Sequence, residues 1–89
     1  MIKIYCHTDE YENKCWCKED TFILHREDGP AVEYANGDKS WYQNGLKHRL
    51  DGPVVETKNS YKTWYYHGKW IDVDNQEDFE RYIKLMVFE

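Results

Sequence analysis

Apolar and aromatic residues between positions 31 and 66 come in short clusters: Ala31-Val32, Trp41-Tyr42, Val54-Val55 and Trp64-Tyr65-Tyr66. Turn-forming pairs separate them, namely Asn36-Gly37, Asn44-Gly45, Asn59-Ser60 and His67-Gly68. Short β-branched and aromatic runs bounded by such pairs predict an antiparallel meander of short strands. Asn-Gly tolerates positive φ at both central positions, as a two-residue type I′ hairpin loop requires. Beyond position 73 the period changes. Phe79, Tyr82, Ile83 and Met86 recur at i, i+3, i+4 and i+7, which places them on one helix face. Asp74 followed three residues later by Glu77 reads as a capping box, so a helix is predicted over 74–88 with Asp74 as N-cap. Glu77, Asp78 and Glu80 in its first turns suit the positive end of the helix dipole. The pattern as a whole predicts an α+β fold, an antiparallel β-meander of repeated hairpins covered by one C-terminal helix.

The hairpins are copies of one another. Residues 25–47 and 48–70 align without a gap at a period of 23, with 12 of 23 positions identical. A degenerate copy occupies 13–24, where Asn13, Lys14 and Trp16 echo Asn36, Lys39 and Trp41. Trp16 precedes His25 by nine residues whereas Trp41 precedes His48 by seven, which implies a two-residue insertion in the loop at Lys18–Thr21. The whole chain, 1–89, is read as one domain built from these copies and the helix. If Asn36-Gly37 and Asn59-Ser60 each close a two-residue loop, Val32 faces Trp41 and Val55 faces Trp64. Ala31 then faces Tyr42, and Val54 faces Tyr65, on the other side of the sheet. This register predicts a dry face with Trp41 and Trp64 buried, and a wetter Tyr face carrying Glu33 and Glu56.

Composition sharpens this reading. The chain has 89 residues, enough for one domain with a thin core. Aliphatic residues are few, with five Ile, five Val and four Leu against four Trp, eight Tyr and three Phe. Rings must therefore build the core, each burying roughly 150–250 Å². The abundance of aromatics also argues against disorder. A net charge of −5 argues against direct nucleic-acid binding, and no apolar run is long enough for a membrane helix. The first ten residues turn polar too early for a secretory signal, so a cytoplasmic location is expected. Charge is uneven: the repeats at 25–70 are close to neutral at +1, and residues 71–89 carry −4.

Several groups are candidates for chemistry. His25-Arg26 and His48-Arg49 each precede an Asp-Gly-Pro step, at Asp28 and Asp51. Such corners either hold the repeat's own geometry, with Arg paired to Asp, or present guanidinium forks to a phosphate or carboxylate. Cys6, His7, Cys15 and Cys17 contain metal-ligand types, but Cys-x-Cys with one distant Cys is not a zinc spacing, and reduced packing thiols are expected. No phosphate loop, HExxH or nucleophile elbow is present, so neither a cofactor nor catalysis is expected. A meander has two edge strands, and one of them is a candidate for homodimer formation.

The spacing Trp-Tyr-x-x-Gly-x-x-His-Arg-x-Asp-Gly-Pro, from Trp41 to Pro53, resembles the HRxDGPA-type repeats of small proteins from bacteriophages and large DNA viruses. It is also similar to MORN repeats, which are β-hairpin units of the same length, though it departs from them in the His-Arg corner and in its sparse glycines. The resemblance implies a hairpin-repeat fold and a viral origin. On that basis a non-enzymatic protein that occludes a host protein is expected, such as an inhibitor of an anti-phage defence system in the host cytoplasm. The alternatives are sequestration of a nucleotide or other phosphate ligand, and a structural or virion accessory role. Contact residues are expected among exposed rings, Arg and the acidic helix. They are Tyr42, Tyr65, Tyr66 and Trp70, then His25, Arg26, His48 and Arg49 at the corners, and Glu77, Asp78 and Glu80 on the helix.

Overall fold

The computed structural model describes residues 3–87. Nine strands and one helix follow in order: β1 (Ile4–Thr8), β2 (Lys14–Lys18), β3 (Val32–Glu33), β4 (Lys39–Ser40), β5 (Tyr42–Gln43), β6 (Leu46–Lys47), β7 (Val55–Glu56), β8 (Lys62–Tyr66), β9 (Lys69–Ile71) and α1 (Gln76–Val87). The main sheet is antiparallel in the order β1-β2-β3-β4-β7-β8-β9, and β5-β6 form a separate hairpin. The fold is therefore α+β, an antiparallel meander of hairpins with a single C-terminal helix. It is a thin slab, 42 × 35 × 17 Å.

Each repeat is organised by a Lys-x-Trp strand that turns at the Trp. β4 pairs with β3 and β7, whereas β5, one residue further on, pairs with β6. Trp41 sits at the join, its N–H donating to the Val54 carbonyl and its own carbonyl accepting from His48. β8 behaves alike in one piece, pairing with β7 through Lys62–Thr63 and with β9 through Trp64–Tyr66.

The turns differ from the predicted set, and the register differs with them. Val32 lies opposite Ser40, not Trp41, and Val55 lies opposite Thr63, not Trp64. The loops between these strands have three residues. In Ala35-Asn36-Gly37 only Gly37 has positive φ (99°), and the Gly37 N–H donates to the Tyr34 carbonyl. Ser60 (67°) and Glu12 (68°) occupy the same place in the loops at 58–60 and 10–12. This is a type I turn closed by one left-handed residue, which needs positive φ at a single position instead of two. The Asn36 side chain braces it by accepting from the Asp38 N–H at 3.0 Å. The two-residue loops with positive φ at both positions are Asn44-Gly45 and His67-Gly68, at the opposite end of the slab. Between Lys18 and Ile23 the corresponding loop has four residues, Glu19–Phe22.

A one-residue shift exchanges the two faces of a strand. Ala31 and Val54, expected on the wetter side, are fully buried, while Val32 and Val55 are half-buried. Glu33 and Glu56 now stand opposite lysines. The row Lys14–Glu33–Lys39–Glu56–Lys62 crosses five strands with charges of alternating sign. Directly opposed pairs of this kind contribute about 0.2–1 kcal/mol each and disfavour register slippage. By the same alternation, Trp16, Ala31, Trp41, Val54 and Trp64 share a face with this row.

Helix α1 starts two residues later than predicted. Asn75, not Asp74, is the N-cap: its Oδ1 accepts from the Asp78 N–H at 2.8 Å. The predicted last helical residue, 88, lies outside the described residues. Phe79 is fully buried, and Tyr82, Ile83 and Met86 on the same face are half-buried. The helix joins a cluster of Trp64, Ile71 and Phe79 with Tyr66, Val73, Tyr82 and Ile83 packed around it. It thus covers the last hairpin, at one end of the slab.

Candidate functional site

The two His-Arg-x-Asp-Gly-Pro corners have the same construction. Arg49 Cζ lies 3.7 Å from the centre of the Trp41 ring, and Arg26 Cζ lies 3.9 Å from that of Trp16. Arg49 Nε donates to Asp51 at 2.9 Å, and its Nη1 to the Pro53 carbonyl at 2.9 Å and to Glu56 at 3.2 Å. Arg26 repeats the contacts with Asp28 and the Pro30 carbonyl. The glycine of each motif makes room for this. A Cβ on Gly52 would meet Arg49 Cζ at 2.5 Å, and one on Gly29 would meet Arg26 Cζ at 2.9 Å. Trp41 is accordingly half-buried, where burial was expected, because its outer side is covered by a guanidinium and not by core. Trp64 has no such Arg. Asp72 stands at that repeat position, and the helix takes over, with Gln76 Oε1 accepting from Trp64 Nε1 at 2.8 Å.

The corner histidines join one repeat to the next. His25 Nδ1 accepts from the Asn44 N–H, and His48 Nδ1 from the His67 N–H, both at 2.9 Å. Beside them the Gly45 N–H donates to the Leu24 carbonyl and the Gly68 N–H to the Lys47 carbonyl. Each two-residue turn is therefore held through both its amides by the preceding corner. Both rings are buried, at 4% and 5% exposure. His48 stacks on His67 with centroids 4.0 Å apart. Burial, and secondarily the neighbouring His67, lowers the His48 pKa below its ordinary value. The unfolded chain then takes up a proton that the folded one refuses. Stability should be full above pH about 6.5 and should fall as the pH drops below it. Urea unfolding at pH 7.5 and 5.5 checks this, and His48→Asn should flatten the difference.

At the opposite end of the slab the three-residue loops are tied in the same direction. Asn13 Oδ1 accepts from the Ala35 N–H at 2.8 Å, and Asp38 Oδ1 from the Lys58 N–H at 2.7 Å.

The other predicted residues are distributed as follows. On the face away from the Trp row, Tyr42 pairs with Lys47 and Tyr65 with Trp70 across their strands. Lys47 Nζ lies 4.9 Å from the Tyr65 ring centre, so the four residues form one row, Tyr42–Lys47–Tyr65–Trp70. Trp70 is 56% exposed. Desolvation, then the neighbouring Tyr34 and Tyr65, push the Tyr42 hydroxyl above its ordinary range. Tyr66 points the other way, against His48, His67 and the helix cluster. On the helix, Glu77 and Asp78 both reach Arg81, at 3.2 and 3.5 Å, and Glu80 accepts from Gln76. The structure thus brings Tyr42, Tyr65 and Trp70 together and leaves the corners and the helix acids as separate groups. Lys47 was missed, although it occupies the repeat position of Trp70, which could have revealed it.

An open groove of about 560 Å³ runs between the corners, lined by Arg26, Asp28, Trp41, His48, Arg49 and Asp51 among others. Its carboxylates, Glu27, Asp28 and Asp51, outnumber its two guanidinium groups. Among the described residues no helix is long and apolar enough to cross a membrane. Cys6 is exposed, Cys15 half-buried and Cys17 buried. Burial, then Cys15, raises the Cys17 thiol pKa.

Family models, curated proteins and solved structures contain no match to this chain.

Proposed function

We propose that the protein is a non-enzymatic binding module of phage or large-DNA-virus type. It acts in the host cytoplasm by occupying a host protein, as an inhibitor of an anti-phage defence system would. The row Tyr42–Lys47–Tyr65–Trp70 carries this reading, with Trp70 held 56% exposed at its end by cross-strand pairing with Tyr65. Tyr and Trp rings held on paired strands are frequent anchors of protein interfaces, because little conformational entropy is lost when they are covered. The polar groups that could serve other chemistry are engaged in the fold: His25 and His48 hold turns, and Arg26 and Arg49 are fixed to Asp, to Pro carbonyls and to Trp rings. The viral character rests on the resemblance of the Trp41–Pro53 motif.

Capture from host lysate on immobilised protein, followed by titration with the captured partner, tests the proposal. Saturation at one chain per partner site is expected. Trp70→Ala should weaken binding by about 30-fold, as loss of an anchor of roughly 2 kcal/mol does. Tyr65→Ala should weaken it further in combination, and melting of the Trp70 variant should stay near wild type. Turnover at substoichiometric amounts would overturn the reading. So would a nucleotide retained through purification and released by Arg49→Ala but not by Trp70→Ala.

A further inference from the structure

We propose that β1 is a dimerisation edge, along which two copies pair antiparallel with Cys6 opposite Cys6 of the second copy. The hydrogen-bond pattern fixes which groups are available. The Glu19 N–H donates to the Lys3 carbonyl at 2.9 Å and the Asp9 N–H to the Asn13 carbonyl at 3.0 Å, in the register that pairs Ile4 with Lys18 and Thr8 with Lys14. Odd-numbered residues of β1 therefore face β2, and the amides and carbonyls of Ile4, Cys6 and Thr8 face outward. Among the described residues nothing pairs with that side.

The two sheet edges are not equivalent. β9 is three residues long and carries Lys69 within the strand, so charge and shortness protect it. β1 is five residues, Ile4-Tyr5-Cys6-His7-Thr8, with no Lys, Arg, Asp, Glu or Pro and no bulge against β2. A sheet with one unprotected edge closes on itself as a two-fold dimer and does not extend into a fibre.

Charge selects a second copy and one register. Centred on Cys6, antiparallel pairing sets Ile4 opposite Thr8 and Lys3 opposite Asp9 of the second copy, twice by symmetry. Shifts of two residues keep the hydrogen bonds but place Lys3 opposite His7 or Tyr11. Asp9 is suited to the role: hydrogen bonds from Asn13, with a smaller one from Tyr11, lower its pKa and keep it ionised. A contact of five residues is smaller than the ~1,200 Å² of stable complexes, so a Kd on the order of 0.1 mM is expected.

Sedimentation of the reduced full chain from 10 µM to about 1 mM, in the range of that expected Kd, tests this directly. A reversible monomer–dimer equilibrium is expected. Paired residues at a hydrogen-bonded site have Cα atoms about 5.5 Å apart, within the ~4.4–6.8 Å that disulfides accept. Diamide, which takes up the two thiol hydrogens as it is reduced, should therefore yield a covalent dimer that Cys6→Ser abolishes. Cys6→Pro deletes an outward N–H without removing a bond to β2, so it should give a folded monomer. Lys3→Glu should weaken the dimer several-fold. A strictly monomeric chain at the highest concentration would overturn the proposal and leave β1 as an edge for another protein's strand. A dimer indifferent to both Cys6→Pro and Lys3→Glu would overturn it by placing the contact elsewhere; if Cys6→Pro fails to fold, Lys3→Glu decides.

Discussion

Trp64→Ala is expected to cost about 3–5 kcal/mol, the usual penalty for removing a large buried ring. Trp64 is 4% exposed and packs on Ile71 and on Phe79, which has no exposed surface. Its indole N–H also donates to Gln76, whose Nε2 in turn donates to the Leu50 carbonyl. The substitution therefore opens a cavity beneath the helix and removes the bond that seats the helix start. A domain of this size has stability of only about 5–10 kcal/mol, so the variant should lose roughly half of it and melt far below the wild type. Trp41→Ala should cost clearly less, because Trp41 is half-buried and faces a guanidinium. Urea unfolding of the two variants checks the order. Equal losses would mean that the helix contributes no more to the last repeat than Arg49 does to the one before.

The second large effect is expected at Gly52. Gly52→Ala places a Cβ 2.5 Å from Arg49 Cζ and 2.8 Å from both terminal nitrogens. The guanidinium cannot move away freely, since Trp41 lies on it and Asp51, Glu56 and the Pro53 carbonyl hold its edges. It must leave the ring and give up those bonds, for a loss of about 1–3 kcal/mol. In an Arg49→Ala background the same Gly52→Ala change should cost a few tenths of a kcal/mol, because the obstacle is gone. Additive losses in that cycle would show that Gly52 is required for some reason other than the guanidinium. Gly37→Ala offers a contrast: nothing lies within 4 Å of its added Cβ, and its cost comes from φ of 99° alone.

The meander, its 23-residue period and the amphipathic face of the helix were legible in the chain. Each is written locally: turn pairs such as Asn44-Gly45, the Val and Trp clusters, and Phe79, Tyr82, Ile83 and Met86 at helical spacing. The register was not. Asn36-Gly37 supports a two-residue or a three-residue loop equally well, and the copies with Ser60 and Glu12 at the left-handed position show that one such residue suffices. Loop length decided the faces, and with them the alternating Lys–Glu row.

Of the candidate site, the sequence pointed to Tyr42, Tyr65 and Trp70 through their place after each Trp or turn. Tyr66, one residue from Tyr65, went to the opposite side by strand alternation. The roles of the His-Arg corners were open in the sequence because the histidine partner is distant along the chain, while the arginine partners, though close in sequence, converge only in the folded hairpins. His48 acts on an amide 19 residues away, and Arg49 takes Trp41, Asp51, Pro53 and Glu56 together only once three strands are assembled. What the sequence alone determined about this protein is its inventory of turns, its period and its helix, since short-range backbone preferences encode them. Which rings are dry, which polar groups the fold engages and which strands end the sheet depend on register and on contacts between successive repeats, and so emerge only when the hairpins assemble.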